Sequence, residues 1–242
     1  MTFGAVIWKD WVIFKNKIIS NTLSAIVGPM LYLVAFGWGI GDRLTIDGIS
    51  YIAFVIPGIA AMNAMSLCFN VTANGINIAR IYDKTFEAEM MSPIRTWTYT
   101  TAKIILGTLR GMYGAALILA ASLLFDRSLK ITPYFVLIMT LNCCTFSAIG
   151  FIAGLIINSH ADMAKVSNFV ITPMSFLCGT LFPLTRFPTP LKIVFEFLPL
   201  SQAVNGLRGG HTAPGSWVPP LVLAAWCAVM LVVAVKICRR TE

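Results

Sequence analysis

The chain is poor in charge and poorer still in histidine. Of its 242 residues only 12% are Asp, Glu, Lys or Arg, about half the ~25% of an ordinary globular domain. A water-facing surface cannot be covered by so few charges. With 57% hydrophobic residues and a mean hydropathy of +0.80, the chain reads as an integral membrane protein. His160 and His211 are the only histidines and both fall in polar connections, which argues against a histidine metal site or a histidine-dependent triad. There is no HExxH, no GxSxG, no acidic pair inside an apolar stretch, and no GxxxxGK[ST], so the chain has no P-loop of its own. The net charge of +8 is not gathered into a basic run or an aromatic-interleaved patch, so it does not point to nucleic acid. Cys68, Cys143, Cys144, Cys178, Cys227 and Cys238 form no CxxC or Cys/His cluster and lie in or at the ends of apolar segments. They read as small core residues, not as disulfides or metal ligands. No cleavable signal is expected, because Met1 to Lys17 is aromatic and basic and has no short apolar core before an A-x-A site. Internal repeats and low-complexity segments are also missing, which predicts a single domain.

What is present is a succession of apolar stretches, each close to the roughly 20 residues that cross a bilayer as a helix. Six are predicted as spans: 22–41, 51–73, 104–125, 133–157, 166–184 and 217–237. Ahead of them, within residues 1–18, Ile7, Trp11, Phe14 and Ile18 recur at helical spacing with Lys9, Lys15 and Lys17 elsewhere on the wheel. That pattern predicts an amphipathic helix lying along the headgroups. With the N-terminus inside, Lys and Arg divide twelve inside to six outside, accounting for the eighteen present. The positive-inside rule then places both termini in the cytoplasm. Residues 183–210 break the pattern. Pro183, Pro188, Pro190 and Pro199 interrupt them, and the run Leu191 to Leu200 carries Lys192 and Glu196. The stretch is too short to span and too apolar for a free loop, so a re-entrant or interfacial helical pair at the outer face is expected.

The most densely charged run lies between two spans, within the connection 78–95: Arg80, Asp83, Lys84, Glu87, Glu89 and Arg95. Each of these charges costs about 2.5–3.5 kcal/mol in hydrocarbon on insertion scales, so the run is predicted to form a short cytoplasmic helix, stopped at Ser92-Pro93. Two readings are open, a solvated connection or a docking surface for another protein. Two polar stripes also stand out. Asn63, Ser66, Asn70, Asn74 and Asn77 share one face of the second span, and Asn168, Thr172, Ser175 and Gly179 share one face of the fifth on ideal helical spacing. They are either helix–helix glue or the lining of a polar pathway. Gly107/Gly111 and Gly150/Gly154 are GxxxG pairs, expected to let helices pack closely. Arg110 lies one to two turns into the third span, with a stem long enough to snorkel to the inner interface; a proton relay would need an acidic partner inside a span.

Several of these residues resemble one family. Gly39-Ile-Gly41, followed by Ser50-Tyr51-Ile-Ala-Phe54-Val-Ile-Pro57-Gly58, is similar to the first outer loop and second span of ABC type-2 exporter permeases, with the nodulation-factor and O-antigen branches nearest. Thr85-Phe86-Glu87-Ala88 with Ser92-Pro93-Ile94 resembles the family's cytoplasmic loop. Pro173-Met174 through Gly179 to Phe182-Pro183, Leu198-Pro199-Leu200 and Gly206-Leu207-Arg208-Gly209 resemble its fifth span and outer re-entrant segment. One departure is Glu89, where the family usually has an apolar residue. The resemblance implies a bacterial inner-membrane permease working as a homodimer or with a related permease. Two separate cytoplasmic ATPase subunits would bind ATP and Mg, so this chain would bind no cofactor itself. It further implies that Arg80, Asp83, Phe86, Glu87, Ser92 and Pro93 belong to a coupling helix docked on the ATPase. Asn63, Ser66, Asn70, Asn168, Thr172 and Ser175 would border the substrate path, and Phe182, Pro183, Pro199 and Arg208 the outer gate.

The expectation is therefore an all-α membrane protein that exports an amphipathic or lipid-linked substrate. A glycolipid, a polysaccharide or a hydrophobic drug would each fit. The alternatives are an ATP-independent secondary transporter or channel, which would need an acidic or ion site within a span, and a membrane enzyme, for which no catalytic constellation exists.

Overall fold

The computed structural model describes residues 3–16, 18–39, 45–46, 49–91, 95–124, 131–184, 188–209 and 215–240. Two helices open the chain, α1 (Phe3–Asn16) and α2 (Ile18–Gly39). After them, the strands β1 (Thr45–Ile46) and β2 (Ile49–Ser50) pair antiparallel, the one departure from helix-and-loop structure among the described residues. The helices that follow are α3 (Tyr51–Ile81), α4 (Thr85–Met90), α5 (Thr96–Ser122), α6 (Pro133–Ile156) and α7 (His160–Val166). A π-helical turn at Ser167–Ile171 leads into α8 (Thr172–Leu177), and α9 (Thr189–Phe197), α10 (Pro199–Gly209) and α11 (Val218–Arg240) complete the chain. Four of these are long and apolar enough to cross a membrane: α3, α5, α6 and α11.

The bundle is built around α3. Apart from one polar stripe its sequence is apolar, and a helix of that kind is stable only when largely surrounded. Ile56, Ile59, Met65, Phe69 and Ile76 are accordingly among its fully buried side chains. Both GxxxG pairs face it. A Cβ on Gly107 would run into Thr72 and Ser147, and one on Gly111 into Cys68. A Cβ on Gly150 would lie 2.6 Å from the Phe69 carbonyl oxygen, and one on Gly154 2.8 Å from that of Ala73. The small residues thus bring α5 and α6 against the α3 backbone, the close packing expected of them. The cysteines form no disulfide, and all but the half-buried Cys144 are buried, as expected of core residues.

Local chemistry sets the helix ends. Thr132 Oγ1 accepts the Phe135 N–H at 3.2 Å with Pro133 in the first turn of α6, and Ser159 Oγ accepts the Ala161 N–H at 3.2 Å at the start of α7. The predicted fifth span, 166–184, is not one regular helix. Pro173 has no N–H to give to the carbonyl of residue 169 and its ring crowds that carbonyl, so the preceding turn widens and the Thr172 N–H bonds to the Ser167 carbonyl. Beyond Leu177 the chain leaves the helix, and Gly179 takes φ +77. Elsewhere the helices exceed the predicted limits: α3 continues to Ile81, past residue 73, and α5 begins at Thr96, before residue 104.

Candidate functional site

Three features lie along α3, from its last turns to its first. At the end where α3 meets α4, two bonds tie its final turns to the junction of α6 and α7. Asn77 Nδ2 donates to the Ile157 carbonyl at 2.7 Å, and Arg80 Nη2 donates to Asn158 Oδ1. The chain then turns sharply through Lys84, whose φ of 51° makes it the one non-glycine residue in the left-handed region among the described residues. That turn costs an L-residue about 1–2 kcal/mol and sets α4 across the bundle end. Phe86 is buried with its ring edge-on to Tyr99 at 5.9 Å, and Tyr99 meets Phe151 in the same way at 6.3 Å. Three aromatic rings thereby connect α4, α5 and α6. Glu87 and Asp83 are exposed, as is Met91. Glu87 lies on the rim of a cleft of about 660 Å³ that also takes in Arg80, Met90, Leu155 and Asn158. Ser92 and Pro93 lie outside the described residues. Glu89 points the other way, 8% exposed, into a neighbouring cleft with Thr72 and Lys103.

In the middle of α3 the polar stripe divides. Asn63, Ser66 and Asn70 line a cleft of about 310 Å³, closed by Phe14 of α1, Ala25 of α2 and Arg110 and Tyr113 of α5. Asn63 Nδ2 reaches the Gly114 carbonyl at 3.5 Å, while Asn70 Oδ1 accepts from Ser167 Oγ at 3.0 Å. The Arg110 guanidinium sits 5.4 Å from the centre of the Phe14 ring. Asn77, further down, belongs to the α6 junction instead. The second stripe does not stay together, because ideal spacing fails across the π turn. Asn168 and Thr172 are exposed, whereas Ser175 is buried and bonds the Ile171 carbonyl at 2.8 Å. Ser167 makes the link to Asn70, a residue sequence reasoning passed over for its neighbour Asn168. Pro173 was the available signal, since it displaces the turn before it. Other buried polar groups went unnoticed and act between helices: Thr72 with Ser147 at 3.0 Å, Ser147 Oγ to the Ile104 carbonyl at 2.9 Å, and Asn142 Nδ2 to the Ala61 carbonyl at 3.3 Å.

At the first turns of α3, Arg208 of α10 holds three elements together. Its Nε donates to the Phe54 carbonyl at 3.0 Å, Nη1 to that of Gly179 at 2.6 Å and Nη2 to that of Thr180 at 2.6 Å. The guanidinium lies 3.5 Å over the Phe54 ring. Gly58 permits the approach, because a Cβ there would strike the Thr180 carbonyl. Tyr51 adds a bond from its hydroxyl to the Leu181 carbonyl at 3.2 Å. Phe182 is 47% exposed, Pro183 is half-buried, and Pro199 is buried where α9 and α10 meet. Trp226 Nε1 donates to the Phe197 carbonyl at 3.2 Å, fastening this pair to α11. Phe182 and Pro183 follow the Gly179–Thr180 segment that Arg208 holds, and Pro199 opens the helix that carries Arg208. Among the described residues no group of three or more His, Cys, Asp or Glu is arranged to hold a metal ion.

Comparison with known proteins places the chain among transport permeases. A family model described as ABC-2 type transporter matches residues 1–211. An inner membrane transport permease, YadH of Escherichia coli K12, is 26% identical over 223 residues, covering 91% of this chain and 86% of its own. Nodulation protein J of Rhizobium leguminosarum bv. trifolii is 26% identical over 211 residues, 84% of this chain and 78% of that protein. Nodulation protein J of Neorhizobium galegae is 24% identical over 254 residues, 99% and 94% of the two chains.

Proposed function

From the premise that the chain belongs to the ABC-2 type transporter family, and is thus a membrane transport permease, we propose that it exports an amphipathic or lipid-linked substrate on ATP hydrolysed by separate ATPase subunits. The observation that carries this reading is the seating of α4. A six-residue helix has little stability alone, yet here it is fixed by Phe86 to the Tyr99–Phe151 pair and presents Glu87 outward beside an open cleft. Movement imposed on α4 from outside would reach α5 and α6 through those rings. That is the requirement for a coupling helix driven by another subunit, and a merely solvated connection would have no need of it. Two ATPases would serve a pair of permeases. The exposed face of Asn168 and Thr172 suits the boundary with the second copy, most simply another of this chain.

The remaining parts follow the same orientation. Both termini and α4 face the cytoplasm, and the six expected spans comprise α3, α5, α6 and α11 together with α2 and the interrupted rod from α7 to α8. α1 lies along the inner headgroups and α9–α10 re-enters from the outer face. Asn63, Ser66 and Asn70 border the path with the exposed Asn168 and Thr172, and Arg208 holds the outer gate with Phe182, Pro183 and Pro199.

Glu87→Ala tests this reading. A desolvated, charge-assisted pair costs about 2–5 kcal/mol when one side is removed, whereas an exposed carboxylate costs within about 0.5 kcal/mol. The variant should insert normally but co-purify poorly with its ATPase, or hydrolyse ATP without transport. Glu89→Ala, changed at a buried site, should act on the stability of the permease and much less on ATPase affinity. Normal coupled transport by Glu87→Ala would overturn the docking assignment.

A further inference from the structure

We propose that the rod from α7 to α8 switches between two helical registers at the turn Ser167–Ile171, with Asn70 of α3 held by Ser167 in one and by Asn168 in the other; its use in transport rests on the permease reading above. In the structure Asn70 Oδ1 accepts from Ser167 Oγ at 3.0 Å, while Asn168, the next residue, is exposed. The side of the rod that meets the bundle is formed by Met163, Ser167, Ile171 and Ser175, of which Ser167 is half-buried and the others buried. These four are spaced by four residues throughout. On a regular α-helix, at 3.6 residues per turn, Met163 and Ser175 would lie about 120° apart around the axis. The extra residue of the π turn amounts to about 100° of rotation. It removes most of that difference and brings the four to one side. Thr172 closes the turn by bonding the Ser167 carbonyl through both its N–H and its Oγ1, the latter at 3.2 Å.

If that extra residue is lost while Ile171 and Ser175 stay in place, the helix ahead of them turns by about 100°. Ala164 and Asn168 then take the places of Met163 and Ser167. An asparagine both donates and accepts hydrogen bonds, so Asn168 can hold Asn70 as Ser167 does. It also leaves the exposed side, where a bilayer offers an amide few partners. The sequence therefore supplies a partner for Asn70 in either register, whereas a fixed contact would need only one. Pro173 opposes the α register, because its ring crowds the carbonyl of residue 169 there, and this makes the π register the resting one. Two packings that trade one such penalty for one such gain are the requirement for a switching element, and single π turns are frequent at functional sites. Little holds α7 against the rotation. Met163 is its one buried side chain among the described residues, and the Ser159 cap is local to α7 itself. The bond from Arg80 to Asn158 ties the start of the rod to the last turns of α3, next to α4, so a push on α4 has a route to α7.

The test reads the register by disulfide trapping with copper phenanthroline, using the full-length permease in membranes with its co-expressed ATPase. Two double variants in a cysteine-free background are compared, Asn70→Cys with Ser167→Cys and Asn70→Cys with Asn168→Cys. Without ATP the 70–167 pair should cross-link at least tenfold faster than the 70–168 pair. During ATP hydrolysis the 70–168 rate should rise at least threefold. Adding Pro173→Ala should reverse the resting preference without any ATP, and an unchanged preference overturns the proposal. A second reading needs no cysteine substitution. With the native cysteines in place, Pro173→Ala should slow hydrogen exchange of the amides in residues 166–172 at least tenfold, because the widened turn closes; exchange that is unchanged or faster overturns the two registers even where the cysteine variants fail to fold. The 70–167 disulfide should also lower ATP hydrolysis by the complex at least fivefold, with recovery on reduction. Full hydrolysis with that disulfide intact, or a 70–168 rate indifferent to ATP in a complex that hydrolyses it, overturns the switch as part of transport. If the resting preference and its reversal hold while the permease neither binds nor stimulates an ATPase, the ATP-driven reading falls and the two registers stand.

Discussion

Arg208→Ala removes the latch at the gate end of the bundle, and its effect can be worked from the geometry. Three charge-assisted hydrogen bonds are lost, at 3.0, 2.6 and 2.6 Å, each worth about 1.5–3 kcal/mol. The contact with Phe54 at 3.5 Å adds about 0.5–2 kcal/mol. Against this gross figure stands the desolvation of the guanidinium, several kcal/mol, which the alanine variant no longer carries. The net loss should therefore be about 3–5 kcal/mol, the usual cost of removing one side of a buried charged network. It should be local, because Gly179 and Thr180 are in irregular backbone with no helix to hold them once Arg208 is gone. Hydrogen exchange of a peptide covering residues 176–184 should accelerate on the order of a hundredfold to a few thousandfold, at tenfold per 1.4 kcal/mol. A peptide from the middle of α6 should be unaffected. Arg208→Lys keeps the charge but cannot span three carbonyls with one ammonium, so about half the effect is expected. Exchange within threefold of wild type in residues 176–184 of Arg208→Ala would refute the reasoning, as would full rescue by lysine.

The other expectations concern the path, the packing and the topology. Asn63→Leu and Asn70→Leu should reduce export while leaving ATPase assembly intact; loss of extractable folded protein before loss of transport would show them to be glue. Gly150→Leu, which forces a side chain onto the Phe69 backbone of α3, should cost at least the ~1–3 kcal/mol of an overpacked core, read as a lower yield of monodisperse permease and a lower inactivation temperature. In a cysteine-free background, a cysteine at position 128 should react with a membrane-impermeant reagent in intact cells and one at 241 should not, and the reverse result inverts the topology.

Much of the architecture was legible because bilayer chemistry is coarse. Length and hydropathy were enough to mark the stretches that became α3, α5, α6 and α11, and small residues at GxxxG spacing were enough to mark where helices close up. The charged run around Glu87 had to leave the hydrocarbon whatever surrounded it. The second polar stripe was misleading for a reason that is local but easy to overlook. Its spacing assumed an unbroken helix, and Pro173 widens the turn before it, giving the Asn70 contact to Ser167 and leaving Asn168 exposed.

By itself, then, the sequence determined the membrane class, the approximate spans, the charged helix and the resemblance to a permease family, since each depends on composition or on neighbours a few residues apart. Only the tertiary structure decided that Glu87 faces out while Glu89 faces in, that Arg110 meets Phe14 beside a cleft shared with the asparagines of α3, and that Arg208 grips carbonyls 28, 29 and 154 positions away. Helical periodicity says which residues share a face, but not which face meets which neighbour. That choice is made by the packing of whole helices against α3, where a difference of one residue in register turns a side chain through about 100°.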